Sequence, residues 1–337
     1  MLKKFIKKVS ERQNLTFDEM KDAMEIIMTG QTTDAQIAGF LMALKMKGET
    51  VEEITAAAVV MREKAHKVAI EGDIILDTCG TGGDGYGTIN ISTAVSIIAA
   101  AAGIKVAKHG NRSVTSECGS ADVLKALGVN TEITHDKIKN CVDTAGIGFF
   151  FAPSCHAAMK FAMGVRKELG VRTIFNLLGP IINPAGNKHH LMGVFSPELT
   201  EKIAGVLKNM GHVHSAVVCG AGNMDEITLS GPTKVSELKK GEISTYYIKP
   251  GDFGLAEAPM EAVKGGNPEK NAAILRAVFS GTEKGAYRNV IILNSGFALY
   301  IADNVAAPAE GVKKSAEIID SGLALKKLED FIRCSNG

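Results

Sequence analysis

The sequence predicts an α/β protein: a small all-helical N-terminal domain (1–72, joined by helices from about 165–190) and a larger α/β domain (73–337) with a mostly parallel central sheet. Three observations point there. Capping boxes recur through the first seventy residues, at Thr16-x-x-Glu19, Thr33-x-x-Gln36 and Thr50-x-x-Glu53, each ahead of a run of helical periodicity. From Asp73 onward, short apolar strand-like runs alternate with helical ones. Between the first such strand and an alanine-rich helix lies a loop with glycine at 80, 82, 83, 85 and 87, a density that costs conformational entropy unless the backbone needs it.

The N-terminal helices are amphipathic. Met20, Met24, Ile27 and Met28 share one apolar face, as do Ile37, Phe40, Leu41 and Leu44, with Gly30 and Gly48 placed to end their helices. Beyond the strand at 74–76 the pattern predicts a helix over 94–102, a strand at 104–107, helices at 121–127 and 136–145, and a strand at 147–152. Helices at 159–169 and 172–178 come next, then strands at 191–195 and 216–219 around a helix at 199–210. Residues 234–249 read as a small antiparallel excursion, and helices return at 269–279, 289–302, 311–319 and 323–332.

Composition restricts the function classes. With 22% charged residues, 45% hydrophobic residues and a net charge of +1, the 337-residue chain lacks the broad basic face that nucleic acid requires, so any anion site is local. The six cysteines have no metal-ligand spacing and read as reduced cytoplasmic thiols. The basic N-terminus lacks the apolar core of a secretory signal, and no uncharged apolar run approaches the about 20 residues of a membrane span.

The glycine loop, with Asp84, the hydroxyls of Thr88, Ser92 and Thr93 and the start of the following helix, forms a cradle suited to phosphate. Gly80-x-Gly82-x-x-Gly85 matches a dinucleotide fingerprint in form only, since no acid stands between Gly85 and Ser116 to hold a ribose diol, and no Gly-Lys-Ser/Thr closes a Walker loop. A second cluster, Lys108-His109-Gly110-Asn111-Arg112 with Ser113, Thr115 and Ser116, combines fixed cations, an amide and hydroxyls around a turn, with Ser120 placed to cap the next helix. It reads as a polyanion clamp or as a solvated basic loop. Asp225-Glu226 suits Mg²⁺ shared with phosphate, though two acids on a surface turn are common. Arg166 and Arg172 are candidates for a carboxylate, and either could equally be an exposed helix residue. His156 follows a strand end and is a candidate acid or base, although packed histidines are commoner; His189, His190, His212 and His214 have no metal-site partners and take no role.

Gly80-Thr-Gly-Gly-Asp84, Asn90-Ile-Ser-Thr93, Lys108-His-Gly-Asn-Arg112, Gly119-Ser-Ala-Asp122, the 166–184 stretch and Asp225-Glu226 together resemble the anthranilate phosphoribosyltransferases, along the whole chain. The resemblance implies a nucleoside-phosphorylase-like fold, a cytoplasmic homodimer, two Mg²⁺ ions, and transfer of phosphoribose from phosphoribosyl pyrophosphate to the amine of anthranilate in tryptophan biosynthesis. It implies that Gly80, Gly83, Asp84, Thr88, Asn90, Ile91, Ser92 and Thr93 surround the donor, as do Lys108, His109, Gly110, Asn111, Arg112, Ser113, Val114, Thr115, Ser116 and Ser120. Ser92, Asp225 and Glu226 would serve the metal ions; Gly80, Asn111 and Arg166 would contact anthranilate, Arg166 through its carboxylate. The sequence departs from the family at Ala157 and Gly164, where proline is usual, and at Asn223-Met224, where Gly-Leu precedes the acids.

The chemistry agrees with that resemblance. Loss of pyrophosphate leaves oxocarbenium character on the sugar, so cations on the leaving group matter more than a nucleophile. Because anthranilate's amine is neutral at pH 7, no general base is expected to be essential, and Lys108 and Asn111 are expected to carry the rate by charge neutralisation and positioning. A phosphate-accepting pyrimidine nucleoside phosphorylase and an inactive nucleic-acid-binding paralogue are the alternatives; the Asp-Glu pair with Asn111 opposes the first and the net charge opposes the second.

Overall fold

The computed structural model describes residues 1–113 and 117–337; Val114, Thr115 and Ser116 of the second loop lie outside the described residues. Four helices open the chain: α1 (Lys3–Ser10), α2 (Phe17–Met28), α3 (Asp34–Lys47) and α4 (Val51–Glu63). Thr16 and Thr50 make reciprocal capping boxes at the heads of α2 and α4. The third box is half made: Thr33 accepts from the Gln36 amide, but the Gln36 side chain instead accepts from the Thr32 hydroxyl at 2.8 Å. Gly30 and Gly48 follow α2 and α3 at φ +70° and +85°, a region that favours glycine.

The sheet begins with β1 (Ile75–Gly80), after which α5 (Ile91–Ala101), β2 (Lys105–Gly110), α6 (Ser120–Leu127), α7 (His135–Ala145) and β3 (Ile147–Phe151) follow. Next come the short α8 (Ala152–Cys155), α9 (Lys160–Leu169), α10 (Ile174–Ile181), β4 (His189–Gly193), α11 (Leu199–Asn209) and β5 (His214–Gly220). The hairpin β6 (Thr233–Lys239) and β7 (Glu242–Ile248) precedes α12 (Pro268–Phe279), α13 (Ala286–Ile301), α14 (Pro308–Asp320) and α15 (Leu323–Asn336). The 7-stranded sheet has the order β3-β2-β1-β4-β5-β6-β7. Its first five strands are parallel, and β6 and β7 add antiparallel at one edge, so residues 234–249 are a regular hairpin.

The chain builds β2 and β3 to one side of β1, then crosses to β4 and β5 on the other. The junction of β1 and β4 is therefore the switch point, where an open α/β sheet leaves a crevice at its carboxyl ends. Two differences from the sequence reading bear on that crevice. Helix α5 starts at Ile91, so Ile91, Ser92 and Thr93 are its first turn, and Ile91 and Thr93 are buried. Helix α10 extends through Pro180, which has no N–H to donate back to the Asn176 carbonyl, and it ends one residue later at Ile181.

Two large cores flank the sheet. One packs α5, α12, α13, α14 and α15 against it. The other joins the inner faces of α1–α4 to α9, α10 and α11, so the helices at 160–181 return to the N-terminal layer. Within that layer Glu53 is fully buried: Leu15 N donates to its Oε1 at 2.9 Å, and Thr50 N and Lys47 Nζ both donate to Oε2 at 2.8 Å. Replacing Glu53 with alanine strands two amides and leaves the buried Lys47 ammonium without its counter-charge, with only Asn14 Oδ1 and Gly48 O to accept from it. The variant is expected to lose about 3 kcal/mol in urea denaturation; a loss under about 1 kcal/mol would show that the network is dispensable.

Candidate active site

At the switch point Gly80 of β1 and Gly193 of β4 are register partners. A Cβ on either would collide with Asp225: at Gly80 it would meet the carboxyl carbon at 3.0 Å, at Gly193 the main chain, with Cα at 3.1 Å. Glycine at both strand ends is what lets the acidic segment lie across them. That segment leaves β5 through Gly222 and Asn223, both left-handed at φ +76° and +69°, and folds back so that Gly220 N donates to Met224 O at 2.8 Å. Asparagine tolerates that conformation better than other side chains, and Met224 is wholly buried, so the departures at 223 and 224 preserve the turn.

The glycine loop crosses the same point. Gly82, Gly83, Gly85 and Gly87 all have φ between +60° and +83°, and Gly82 N donates to Asp225 Oδ2 at 2.6 Å. Tyr86 fastens the loop to the acidic turn by donating its hydroxyl to Gly222 O at 2.7 Å. At the head of α5, Ser92 N donates to Glu226 Oε1 at 3.1 Å. Lys108, only 2% exposed, donates its ammonium to Thr78 O at 2.6 Å and to Ser92 Oγ at 3.3 Å. The structure thus brings Gly80, Gly83, Asp84, Ser92, Lys108, Asp225 and Glu226 together.

The electrostatics of this cluster suit a bound cation. Burial, then the neighbouring Asp84, pushes the Asp225 carboxyl up to about 7; burial, then Asp225, pushes Glu226 well above its ordinary value. Burial pulls Lys108 down, opposed by Asp77, Cys79 and Glu226. Carboxylates crowded beside a hydroxyl, with one lysine for counter-charge, fit a hard divalent cation: Asp225, Glu226 and Ser92 offer the oxygen donors that Mg²⁺ takes.

His109 and the expected residues of the second loop have partners of their own. His109 is buried and points away from the crevice: its Nδ1 donates to Gly179 O at 3.1 Å and its Nε2 meets His156 Nε2 at 3.2 Å. His156 must then supply the proton of that contact, leaving its Nδ1 buried without a partner among the described residues. Asn90 spends its amide on the second loop, donating to Cys118 O at 3.1 Å. Gly119 is the N-cap of α6, and Ser120 Oγ instead donates to Asn111 O at 3.2 Å. Asp122 Oδ2 gathers Ser113 N at 3.1 Å and Gly119 N at 2.8 Å, which shapes the second loop. Asn111 and Arg112 are exposed, with Arg112 paired to Glu132.

The two arginines separate. Arg172 donates to Gly83 O and stacks 4.1 Å from the Phe195 ring centre, so it latches the loop before α10 to the glycine loop. Arg166 is half-buried, 5.3 Å over Phe175, and no carboxylate pairs with it among the described residues. Gly164 and Ala157 are exposed, and a Cβ at 164 would meet nothing within 4 Å.

Sequence reasoning missed residues 264–266. They close a cavity of about 450 Å³ with residues 83–88, Glu117 and Cys118. Thr88 bridges Lys264, and Gly265 N donates to Gly87 O at 2.9 Å. The visible signal was a glycine pair followed by Asn267 and Pro268, an N-cap and first helical residue.

Family models for the glycosyl transferase family match this chain, the helical bundle domain over residues 3–65 and the a/b domain over 72–325. An anthranilate phosphoribosyltransferase of Acetivibrio thermocellus is 51% identical over 336 residues, covering 100% of this chain and 97% of that protein. The crystal structure of the anthranilate phosphoribosyltransferase from Thermus thermophilus superposes with a TM-score of 0.94 at 41% identity, covering 99% of each chain. That of Saccharomyces cerevisiae in complex with PRPP and Mg superposes at 0.92 with 28% identity, over 99% of this chain and 98% of that one.

Burial, and for His109 also its neighbour, depresses His109 to about 3 and His156 to about 4. In the unfolded chain both protonate below about 6.5, so the unfolded state binds more protons as pH falls from about 6.5 toward 4 and stability is lost through that window. His156→Asn is expected to lose about 1–2 kcal/mol less than wild type between pH 7 and pH 5 in urea melts, each protein referred to its own pH 7 value. Parallel losses would show that His156 is not held neutral.

Proposed function

The chain belongs to the anthranilate phosphoribosyltransferases of the glycosyl transferase family, and we propose that its switch-point crevice performs their chemistry with the residues described above. It is a pentosyltransferase: it transfers the phosphoribosyl group of 5-phosphoribosyl 1-pyrophosphate to the amine of anthranilate, giving N-(5-phosphoribosyl)anthranilate and pyrophosphate in L-tryptophan biosynthesis. The observation that best supports the site assignment is the convergence of Lys108, Ser92, Asp225 and Glu226 on one glycine-walled crevice.

The donor carries phosphate on both ends of its sugar. In this reading the glycine loop offers backbone amides to one end, and the second loop, including Asn111 to Ser116 and Ser120, grips the other. Mg²⁺ serves the reaction; two ions, held by Ser92, Asp225 and Glu226, would neutralise the departing pyrophosphate. Lys108, fixed by Thr78 and Ser92, adds a cation that cannot swing away. Arg166 would hold the anthranilate carboxylate, with Gly80 and Asn111 beside the amine, so the nucleophile is aimed at C1 of the ribose and no side chain need take its proton before attack.

The helical domain comprises 1–72 with helices from 165–190, and the α/β domain 73–337. The protein is a cytoplasmic homodimer that binds neither nucleic acid nor membrane. Among the described residues no helix is long and apolar enough to cross a membrane. Support for the dimer is an apolar stripe on α3, with Ala35 and Gly39 exposed, Met42 half-buried and Met46 68% exposed, one helical turn apart from each other.

Replacing Arg166 with alanine is expected to raise the KM for anthranilate by about tenfold to a hundredfold, the worth of one charge-assisted hydrogen bond, while leaving that for the donor unchanged. An unchanged anthranilate KM removes Arg166 from the site. A double alanine variant at Asp225 and Glu226 is expected to lose Mg²⁺-dependent consumption of anthranilate, followed by its fluorescence; full activity there would refute the metal assignment.

A further inference from the structure

We propose that residues 264–266 are a third donor-binding element, in which the Lys264 ammonium neutralises phosphate of the donor and Asn271 holds the element in register with both phosphate loops. This rests on the transferase reading above. It adds residues outside both loops that the sequence singled out.

The first observation is the cavity. Its volume is about 450 Å³, and one wall is the glycine loop itself. Among the described residues lining it Lys264 is the one cation, against the carboxylates of Asp84 and Glu117. A donor with several phosphate charges, resting on neutral glycine amides beside Asp84, needs positive charge on that side. Lys108 lies under Ser92 with its ammonium already committed to Thr78 O and Ser92 Oγ. Lys264 is exposed, and its ammonium pairs with no carboxylate among the described residues.

The second observation is how firmly this lysine's backbone is held. Ile89 N donates to Val263 O at 3.1 Å, Gly265 N to Gly87 O at 2.9 Å, and the Tyr287 hydroxyl to Lys264 O at 2.8 Å. The segment is thereby stitched to the glycine loop on one side and to α13 on the other.

The third is Asn271, only 1% exposed near the head of α12. Its Oδ1 accepts from Gly266 N at 2.8 Å and its Nδ2 donates to Asn90 Oδ1 at 2.9 Å. Asn90 in turn donates to Cys118 O at 3.1 Å, in the second loop. A Cβ at Gly265 would meet the Asn271 side chain at 2.6 Å and Thr88 O at 2.8 Å, so glycine is required for the close approach. Two side-chain amides, Asn271 buried and Asn90 half-buried, therefore tie the glycine loop, the second loop and residues 264–266 into one ring around the cavity. Asn271 acts through the loops, as a positioning residue.

The test is steady-state kinetics of the full-length enzyme with phosphoribosyl pyrophosphate varied at saturating anthranilate and Mg²⁺. Lys264→Ala is expected to raise the KM for the donor about tenfold, as loss of one contact between a cation and phosphate predicts, with the anthranilate KM and the melting temperature unchanged. Lys264→Arg should restore most of the donor affinity. Asn271→Ala should also raise the donor KM while sparing that for anthranilate. If wild type turns over but Lys264→Ala keeps a donor KM within about twofold of it, the cation role is overturned and the transferase reading stands. A fall in melting temperature for Asn271→Ala with an unchanged donor KM overturns the positioning role. Wild type that consumes no anthranilate with the donor present overturns both.

Discussion

Everything at the switch point depends on a close approach that only hydrogen permits. Gly80 and Gly193 are register partners at the ends of two adjacent parallel strands, and the main chain at Asp225 rests on both. A methyl group at either position would lift the acidic turn away from the sheet. It would also break the 2.6 Å contact from Gly82 N to Asp225 and shift Glu226 from the head of α5. The placement of both carboxylates is thus set by backbone packing, which is the form of preorganisation that electrostatic catalysis requires.

Beneath this contact lies a buried polar column that fixes Lys108. Asp77, fully buried, accepts from Thr78 N at 2.8 Å, from His109 N at 3.1 Å and from Asn183 Nδ2 at 2.8 Å. Asn183 also donates to Ala107 O at 2.7 Å, so β1, β2 and the segment after α10 share one set of hydrogen bonds. A buried carboxylate is tolerable only when its oxygens are satisfied in this way. Its charge also opposes the burial that draws down the Lys108 ammonium.

Features encoded within a few residues were legible in the sequence. The capping threonines at 16 and 50, the glycine loop and the mostly parallel character of the sheet follow from local spacing and the alternation of strand and helix runs. The Asn90–Asn271 contact, between residues 181 apart, could not be read that way, because an asparagine in a sequence does not say which backbone it will satisfy. The same limit hid the reason for Gly80, whose neighbouring loop meets Asp225 across a separation of 143 residues. His109 shows a different failure: the run Lys108-His109-Gly110 alternates faces in β2, so the lysine enters the crevice while the histidine turns toward Gly179 and His156.

That alternation bears on the mechanism. A general base would have to be a group near the crevice with a free lone pair and an affinity for protons near neutrality. His109 and His156 are packed together behind β2 and held neutral far below pH 7, and His109 has both nitrogens engaged. Asp225 and Glu226 have the proton affinity, but in the proposed reading they lie beside Ser92 and Lys108 on the leaving-group side and would be held by the metal ions. On the proposed assignment, the described residues would gather charge where the pyrophosphate departs and leave the acceptor amine to rely on its own lone pair. A fold arranged this way lowers the barrier by stabilising separated charge and by aiming two substrates at each other, and proton removal can follow once the new C–N bond has made the nitrogen acidic.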